Sequence, residues 1–273
     1  SSVRAEAETL LCYLTLYLFT LEVQILRSAY LLVTHGSRDI RPQIAIDQLR
    51  DRIEQQIALP VGAAVLEYAS TPLHEQIEAF SQQHPGISQL HIVPLFLLPG
   101  VHVMEDIPEQ IAIAQSNLQV KLHVMAHLGS HAGIGKVLAK RIAQVPSDAK
   151  ILLSHGSRRP GGNAAIEKIA AEIAAVSAYW SVAPKLEARL AQLSQQKCQD
   201  IVILPYFLFS GGITDAIAQT VTGLVEEYPD LSLKLLTPFD FCEDLVTLII
   251  EFISPELEMR SAHSASIVRS LTV

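Results

Sequence analysis

Three side chains able to hold an ion or move a proton stand at or just past runs that read as buried strands: His35, Glu67 and His102. Two imidazoles and a carboxylate suit borderline divalent ions such as Fe2+, Co2+ or Ni2+. The same groups exchange protons near neutral pH. His35 follows Leu31-Leu32-Val33-Thr34 and opens the turn His35-Gly36-Ser37-Arg38, Glu67 ends the next apolar run, and His102 closes the loop Leu98-Pro99-Gly100-Val101-His102. Gly36 and Gly100 are expected to let the backbone turn sharply there and to leave room for a flat ligand.

Other polar patterns carry less. His123, His127 and His131 recur at four-residue intervals, which on a helix would align them, but Gly129 intervenes and the segment reads as a strand running into a turn. His74, His84 and His91 are expected on helix, turn and strand-start surfaces. Gly133-x-Gly135-Lys136 and Gly161-Gly162 lack the spacing of a phosphate-cradling loop after a strand. A histidine-nucleophile phosphatase would place arginine before the histidine, where this chain has Thr34 and Ser154.

The elements that must position these residues come from a duplication. Leu31 to Arg38 returns as Ile151-Leu152-Leu153-Ser154-His155-Gly156-Ser157-Arg158, 120 positions later. Pro72 then matches Pro184, and Val93-Pro94-Leu95-Phe96-Leu97 matches Leu204-Pro205-Tyr206-Phe207-Leu208, the offset falling to 112 and 111. The second copy is therefore shortened in its first helix or second strand. Counting from these landmarks places Tyr179 opposite Glu67 and Ile213 opposite His102, so the copy keeps His155 and loses the rest of the chemical set.

Short Val/Ile/Leu runs alternate with segments of helical period, the pattern of βαβ units and a parallel sheet. Strands are predicted over Tyr30–Thr34, Ala63–Glu67, Leu90–Phe96 and Lys121–Ala126, then over Lys150–Ser154, Ala178–Ser181, Asp200–Pro205 and Ser232–Leu236. First-copy helices are predicted over Pro42–Gln56, Pro72–Gln83, Met104–Ser116 and Ile134–Gln144, with Pro42, Pro72 and Pro184 in first turns. The expected fold is α/β: two tandem domains, each a small parallel sheet flanked by helices, with the site in a cleft between them. Residues 1–28 form an extension, helical in expectation, 29–147 and 148–253 the two domains, and 254–273 a tail.

Half the 273 residues are apolar, enough for substantial cores. A net charge of -8 without Lys/Arg runs argues against a nucleic-acid partner. Cys12, Cys198 and Cys242 form no CxxC pair, which points to a reducing cytoplasm rather than a disulfide framework. The uncharged stretch Thr9–Leu21 has 13 residues, short of the roughly 20 that span a bilayer.

The His-Gly-Ser-Arg opening, Glu67-x-Ala-x-x-Pro72, and Pro94-x-Phe-Leu-x-x-Gly-x-His102-x-x-x-Asp-Ile107 together resemble the sirohydrochlorin chelatases, across roughly Ala29 to Asp240. The resemblance implies ATP-independent insertion of Co2+ or Fe2+ into sirohydrochlorin, on the way to sirohaem or cobalamin. The metal is then a substrate, and no further cofactor is implied. Metal handling falls on His35 and His102, with Glu67 as a third catalytic candidate. Gly36, Ser37, Arg38, Gly100, His155, Ser157 and Arg158 are expected to bind the tetrapyrrole, with Arg41 and Arg159 as further cations for its carboxylates. A non-catalytic tetrapyrrole or metal carrier on the same scaffold is the alternative. The duplication can stand in for a dimer of single copies, which fits a monomer.

Overall fold

Strand β1 (Ser28–Thr34) is buried along its whole length, because its apolar residues face helices on both sides of a parallel sheet. The structure, a computed structural model, describes residues 28–239 and 243–254. Residues 1–27 of the extension, the tail after 254, Cys12 and Cys242 lie outside the described residues, whereas Ser28, expected to end the extension, begins β1. No helix among those described is long and apolar enough to cross a membrane.

After β1 come α1 (Arg41–Ile57), β2 (Val61–Val65), α2 (Leu73–Gln83), β3 (Gln89–Pro94), a π-turn (His102–Asp106) leading into α3 (Ile107–Asn117), β4 (Lys121–Val124) and α4 (Gly133–Ala143). The second half repeats the order: β5 (Ala149–Ser154), α5 (Ala164–Glu172), β6 (Val176–Tyr179), α6 (Leu186–Gln195), β7 (Asp200–Pro205), α7 (Gly212–Glu227), β8 (Ser232–Leu235) and a helix α8 over 243–254. Each half holds a four-stranded parallel sheet, ordered β2-β1-β3-β4 and β6-β5-β7-β8. The chain leaves β1 toward one edge and β3 toward the other. The crevice outside their carboxyl ends is therefore the switch point at which such sheets bind ligands.

Alternate residues sort into different cores, as the strand period of two requires. Leu31 and Val33 pack with α2 and α3, and Ile151 and Leu153 with α6 and α7. Tyr30, Leu32 and Leu152 point instead into one cluster shared by both halves, built on α1, α4, α5 and α8. Four helices thus fill the space between the two sheets.

Several expectations need correction. Strand β2 starts two residues earlier than predicted, because Gly62 is a packing residue: the Phe80 ring occupies the space its side chain would take. It also ends at Val65, leaving Glu67 beyond the strand. Pro42 does sit in a first helical turn. Pro72 instead occupies the residue before α2, and Pro184 lies two residues before α6. The shortening of the second copy falls mainly on its first helix, 9 residues in α5 against 17 in α1. Helix α8 has no counterpart among the predicted elements. His91 is buried rather than on the surface, stacked between Tyr30 and His123 at centroid distances of 5.1 Å. His123, His127 and His131 run from β4 through a short 3-10 turn and share no helix.

Candidate metal centre

The parallel ladder continues past the strand ends and aligns the reactive residues. The Leu66 N–H donates to the Thr34 carbonyl (2.9 Å) and the Glu67 N–H to the His35 carbonyl (2.8 Å), fixing the two side chains beside each other. The Leu95 N–H likewise donates to the Val33 carbonyl (2.8 Å), holding the segment that leads to His102. As a result His35, Glu67 and His102 each offer a ligand atom within 4.8 Å of the others. The His35 and His102 rings meet edge to face at 4.7 Å, and His35 Nε2 lies 3.8 Å from a Glu67 oxygen. Their side chains are 45%, 43% and 32% exposed in the order His35, Glu67, His102, so the site is open to an incoming ion.

Both rings are oriented through Nδ1. His35 Nδ1 lies 3.1 Å from the Gly36 carbonyl and His102 Nδ1 lies 2.7 Å from Asp106 Oδ2. Each acceptor requires the ring hydrogen on Nδ1, which leaves the Nε2 lone pair for a ligand.

Gly36 is needed in this geometry. Its φ is +90°, and a Cβ would lie 2.0 Å from the Glu67 carbonyl oxygen. Gly36→Ala is expected to cost about 1–3 kcal/mol in urea unfolding and to push Glu67 away from His35. Unchanged stability would show that the turn relaxes freely. Gly156 repeats the conformation at φ +84°. Gly100 does not, and open space surrounds the place where its Cβ would stand, yet the chain does turn sharply there, the Gly100 N–H donating to the Leu98 carbonyl at 2.9 Å, so the turn does not depend on glycine.

A cleft of about 400 Å³ opens beside His35 and runs between the halves. Its walls are Leu95 to Leu98 on one side and Tyr206 to Phe209 on the other, with Ser154 and His155 opposite Thr34 and His35. The walls match because both come from the same position after a third strand. The hydroxyls of Ser154 and Tyr206 are buried and have no hydrogen-bond partner among the described residues, and burial pushes the Tyr206 phenol above its ordinary range.

The second half presents a depleted set. The Ser181 N–H donates to the His155 carbonyl (2.9 Å), the bond Glu67 makes to His35, so the counterpart of Glu67 is Ser181 rather than Tyr179. Tyr179 pairs with Ser154 inside the strand. The second copy is therefore two residues shorter between that point and Pro184, which counting between landmarks does not reveal. Ser181 spends its hydroxyl on the His155 carbonyl at 2.8 Å.

The arginines divide into free and engaged. Arg38 is exposed and lies 5.5 Å from the ring centre of Tyr68, an exposed aromatic at φ +61° that follows Glu67. Arg158 and Arg159 are exposed beside Ser157, whose N–H donates to Asn163 Oδ1 at 2.8 Å. Arg41 is not available to a ligand. It spans the halves, held by Asp39 and by Asp215 at the start of α7. Its guanidinium holds the Asp39 carboxyl down at about 2, and lowers Asp215 as well. A depressed carboxyl contributes above its unfolded value, ordinarily 3.8, and is lost as pH falls through the folded one. The clasp should thus persist through neutral and mildly acid pH. The Asp39 carboxyl resonance should titrate with a midpoint near 2, whereas a midpoint at the ordinary value would mean an open clasp.

Sequence reasoning missed Asp106, although its spacing from His102 could have raised it, and Tyr68, which no periodicity marks. Asp215 also escaped it, because its partner Arg41 lies 174 positions away.

Two parallel-sheet lobes facing across an apolar cleft, with two imidazoles and a carboxylate at the switch point of the first, define a two-lobed α/β protein with an open ligand set suited to a divalent ion. The chain belongs to the CbiX family, whose model matches residues 29–145 and again 149–255. The sirohydrochlorin ferrochelatase of Priestia megaterium is 27% identical over 211 residues, covering 72% of this chain and 79% of that protein. The sirohydrochlorin cobaltochelatase of the same organism is 24% identical over 245 residues, covering 84% and 79%. SirB from Bacillus subtilis, solved with Fe3+, superposes with a TM-score of 0.70 at 22% identity, over 84% of this chain and 94% of that one. The sirohydrochlorin chelatase SirB from Bacillus subtilis subspecies spizizenii, in complex with cobalt, superposes with a TM-score of 0.69, again at 22% identity, over 85% and 96%.

Proposed function

We propose that this chain inserts a divalent ion, Co2+ or Fe2+, into sirohydrochlorin without nucleotide hydrolysis. The observation that carries the reading is the His35–Glu67–His102 cluster, whose His35 also lines an apolar cleft shared by both lobes. The relatives named above, a ferrochelatase and a cobaltochelatase of sirohydrochlorin, supply the substrate. In this reading residues 29–147 provide the reactive cluster and 148–253 the opposing wall.

Insertion requires that the ion lose water and that two pyrrolic N–H protons leave as the metal–nitrogen bonds form. His35 and His102 bind the partly dehydrated ion through Nε2. Glu67, beside His35, accepts one of the two protons as the metal crosses to the ring, and the second passes to the imidazole Nε2 that the departing ion has vacated. The Leu/Phe walls take the faces of the macrocycle, where burial of apolar surface favours binding. Arg38 and Arg158, exposed beside the two His-Gly-Ser turns, receive peripheral carboxylates as charge-assisted forks. The main-chain turns at Gly36, Ser37 and Ser157, with Gly100 and His155, complete the substrate contacts.

The test is anaerobic visible spectroscopy of sirohydrochlorin with Co2+ or Fe2+ and catalytic amounts of the full chain. Many turnovers per protein are expected. A rate no higher than that of the uncatalysed reaction, or product stoichiometric with protein, would replace the enzyme with a carrier.

A further inference from the structure

His102 stands at the first position of a five-residue π-turn, in which the Ile107 N–H donates to the His102 carbonyl. Single π-turns widen a helix locally and are frequent at functional sites. Here the turn brings the Asp106 carboxylate to 2.7 Å from His102 Nδ1. Asp106 also precedes α3, a place where a carboxylate often caps the helix, yet it makes no capping bond. Its oxygen is directed at the imidazole instead. The pair is part-exposed, at 32% and 41%, and such pairs add little to stability.

His35 is oriented differently, by a neutral main-chain carbonyl at 3.1 Å. A charged acceptor at 2.7 Å polarises a ring more than a neutral one at longer range, so the two histidines are unequal donors. The second half supports a linked role. The corresponding stretch of the second half, Gly211 to Ile217, has no histidine, and its one carboxylate, Asp215, is taken by Arg41.

We propose that Asp106 is a positioning residue for His102. It fixes the ring with hydrogen on Nδ1, aims Nε2 at Glu67 and His35, and raises the donor strength of Nε2, so that His102 is the anchoring ligand of the incoming ion. The inference rests on the reading of His102 as a metal ligand. Outer carboxylate partners of this kind typically contribute about 10- to 100-fold in metal affinity.

The experiment is an anaerobic Co2+ titration of the full chain and of its D106A, D106N, D106E and H102A variants, read by visible ligand-field absorption without tetrapyrrole. D106A is expected to bind Co2+ about 10- to 100-fold more weakly with altered bands. D106N, which keeps a neutral acceptor of the same size, should lose less, and D106E should recover most of the affinity. Far-ultraviolet circular dichroism should match throughout. Co2+ affinity and bands unchanged in D106A and D106N, with binding lost in H102A, would overturn the positioning role while leaving the ligand assignment intact. Unchanged binding in H102A would overturn both.

Discussion

Alanine at His35 or at His102 is expected to lower the rate of sirohydrochlorin metallation by at least about a hundredfold, whereas His155→Ala should keep most of it. The three histidines look alike in sequence, and two of them occupy equivalent turns after β1 and β5, with Gly36 at φ +90° and Gly156 at φ +84°. What separates them is company. His35 has Glu67 and His102 within 4.8 Å. His155 has Ser181 in place of the carboxylate, with its hydroxyl already engaged, and no histidine between Gly211 and Ile217 to supply the second imidazole. One imidazole does not hold a partly dehydrated ion in a fixed place, and misplacement of a reacting atom by about 1 Å can alone cost a hundredfold. Neither His35 nor His102 is buried, so both alanine variants should fold and the loss should report on chemistry. Glu67→Gln, which keeps the volume and removes the base, should fall between the two groups. Equal loss in all three histidine variants would place the ion between the lobes and overturn a site confined to the first.

The order of elements and the rim that carries the site were legible because parallel strands buried on both faces leave continuous apolar runs, and His35 and Glu67 stand directly after two of them. The duplication was legible for the same reason, since the strand-turn signature survives in both copies. Residue-level correspondence was less so. Landmarks bracket a deletion without locating it, and the two residues missing before Pro184 moved the counterpart of Glu67 from Tyr179 to Ser181. Arg41 read as a free cation beside the site, because nothing local announces that Asp215 takes it up from the other lobe. Gly100 read as a turn that needs glycine; the turn is there, but its φ is not positive and a Cβ would meet open space, and composition does not distinguish a glycine that is used from one that is required. Period reveals which face of a helix is apolar, never which partner covers it. The common core between the sheets therefore had no sequence signal, although the cleft it supports was expected.

That common core makes Phe239→Ala the most damaging single change outside the site, with an expected loss of about 3–5 kcal/mol. Phe239 is wholly buried after β8, and its N–H donates to the Phe207 carbonyl at 3.1 Å. The Tyr206 ring meets it edge-on at 6.2 Å. On its other side the Arg141 guanidinium, from α4 of the first lobe, lies 5.2 Å from the ring and donates to the carbonyls of Thr237 and Pro238. The residue is therefore a joint: it ties a helix of one lobe to the strand end that forms the cleft wall of the other. Truncation would leave a cavity that neither sheet can close without breaking the arginine's bonds. Urea unfolding should show a lower midpoint with an unchanged slope. It should also show a single transition, because Leu138 and Ile142 of α4, Leu152 of β5 and Leu245 and Ile249 of α8 belong to one cluster with Phe239. Two separated transitions in the intact protein would show that the lobes are independently stable. Since Tyr206 and Phe207 line the cleft, the variant should also bind sirohydrochlorin more weakly while its Co2+ affinity at His35 and His102, on the opposite lobe, stays close to that of the intact chain.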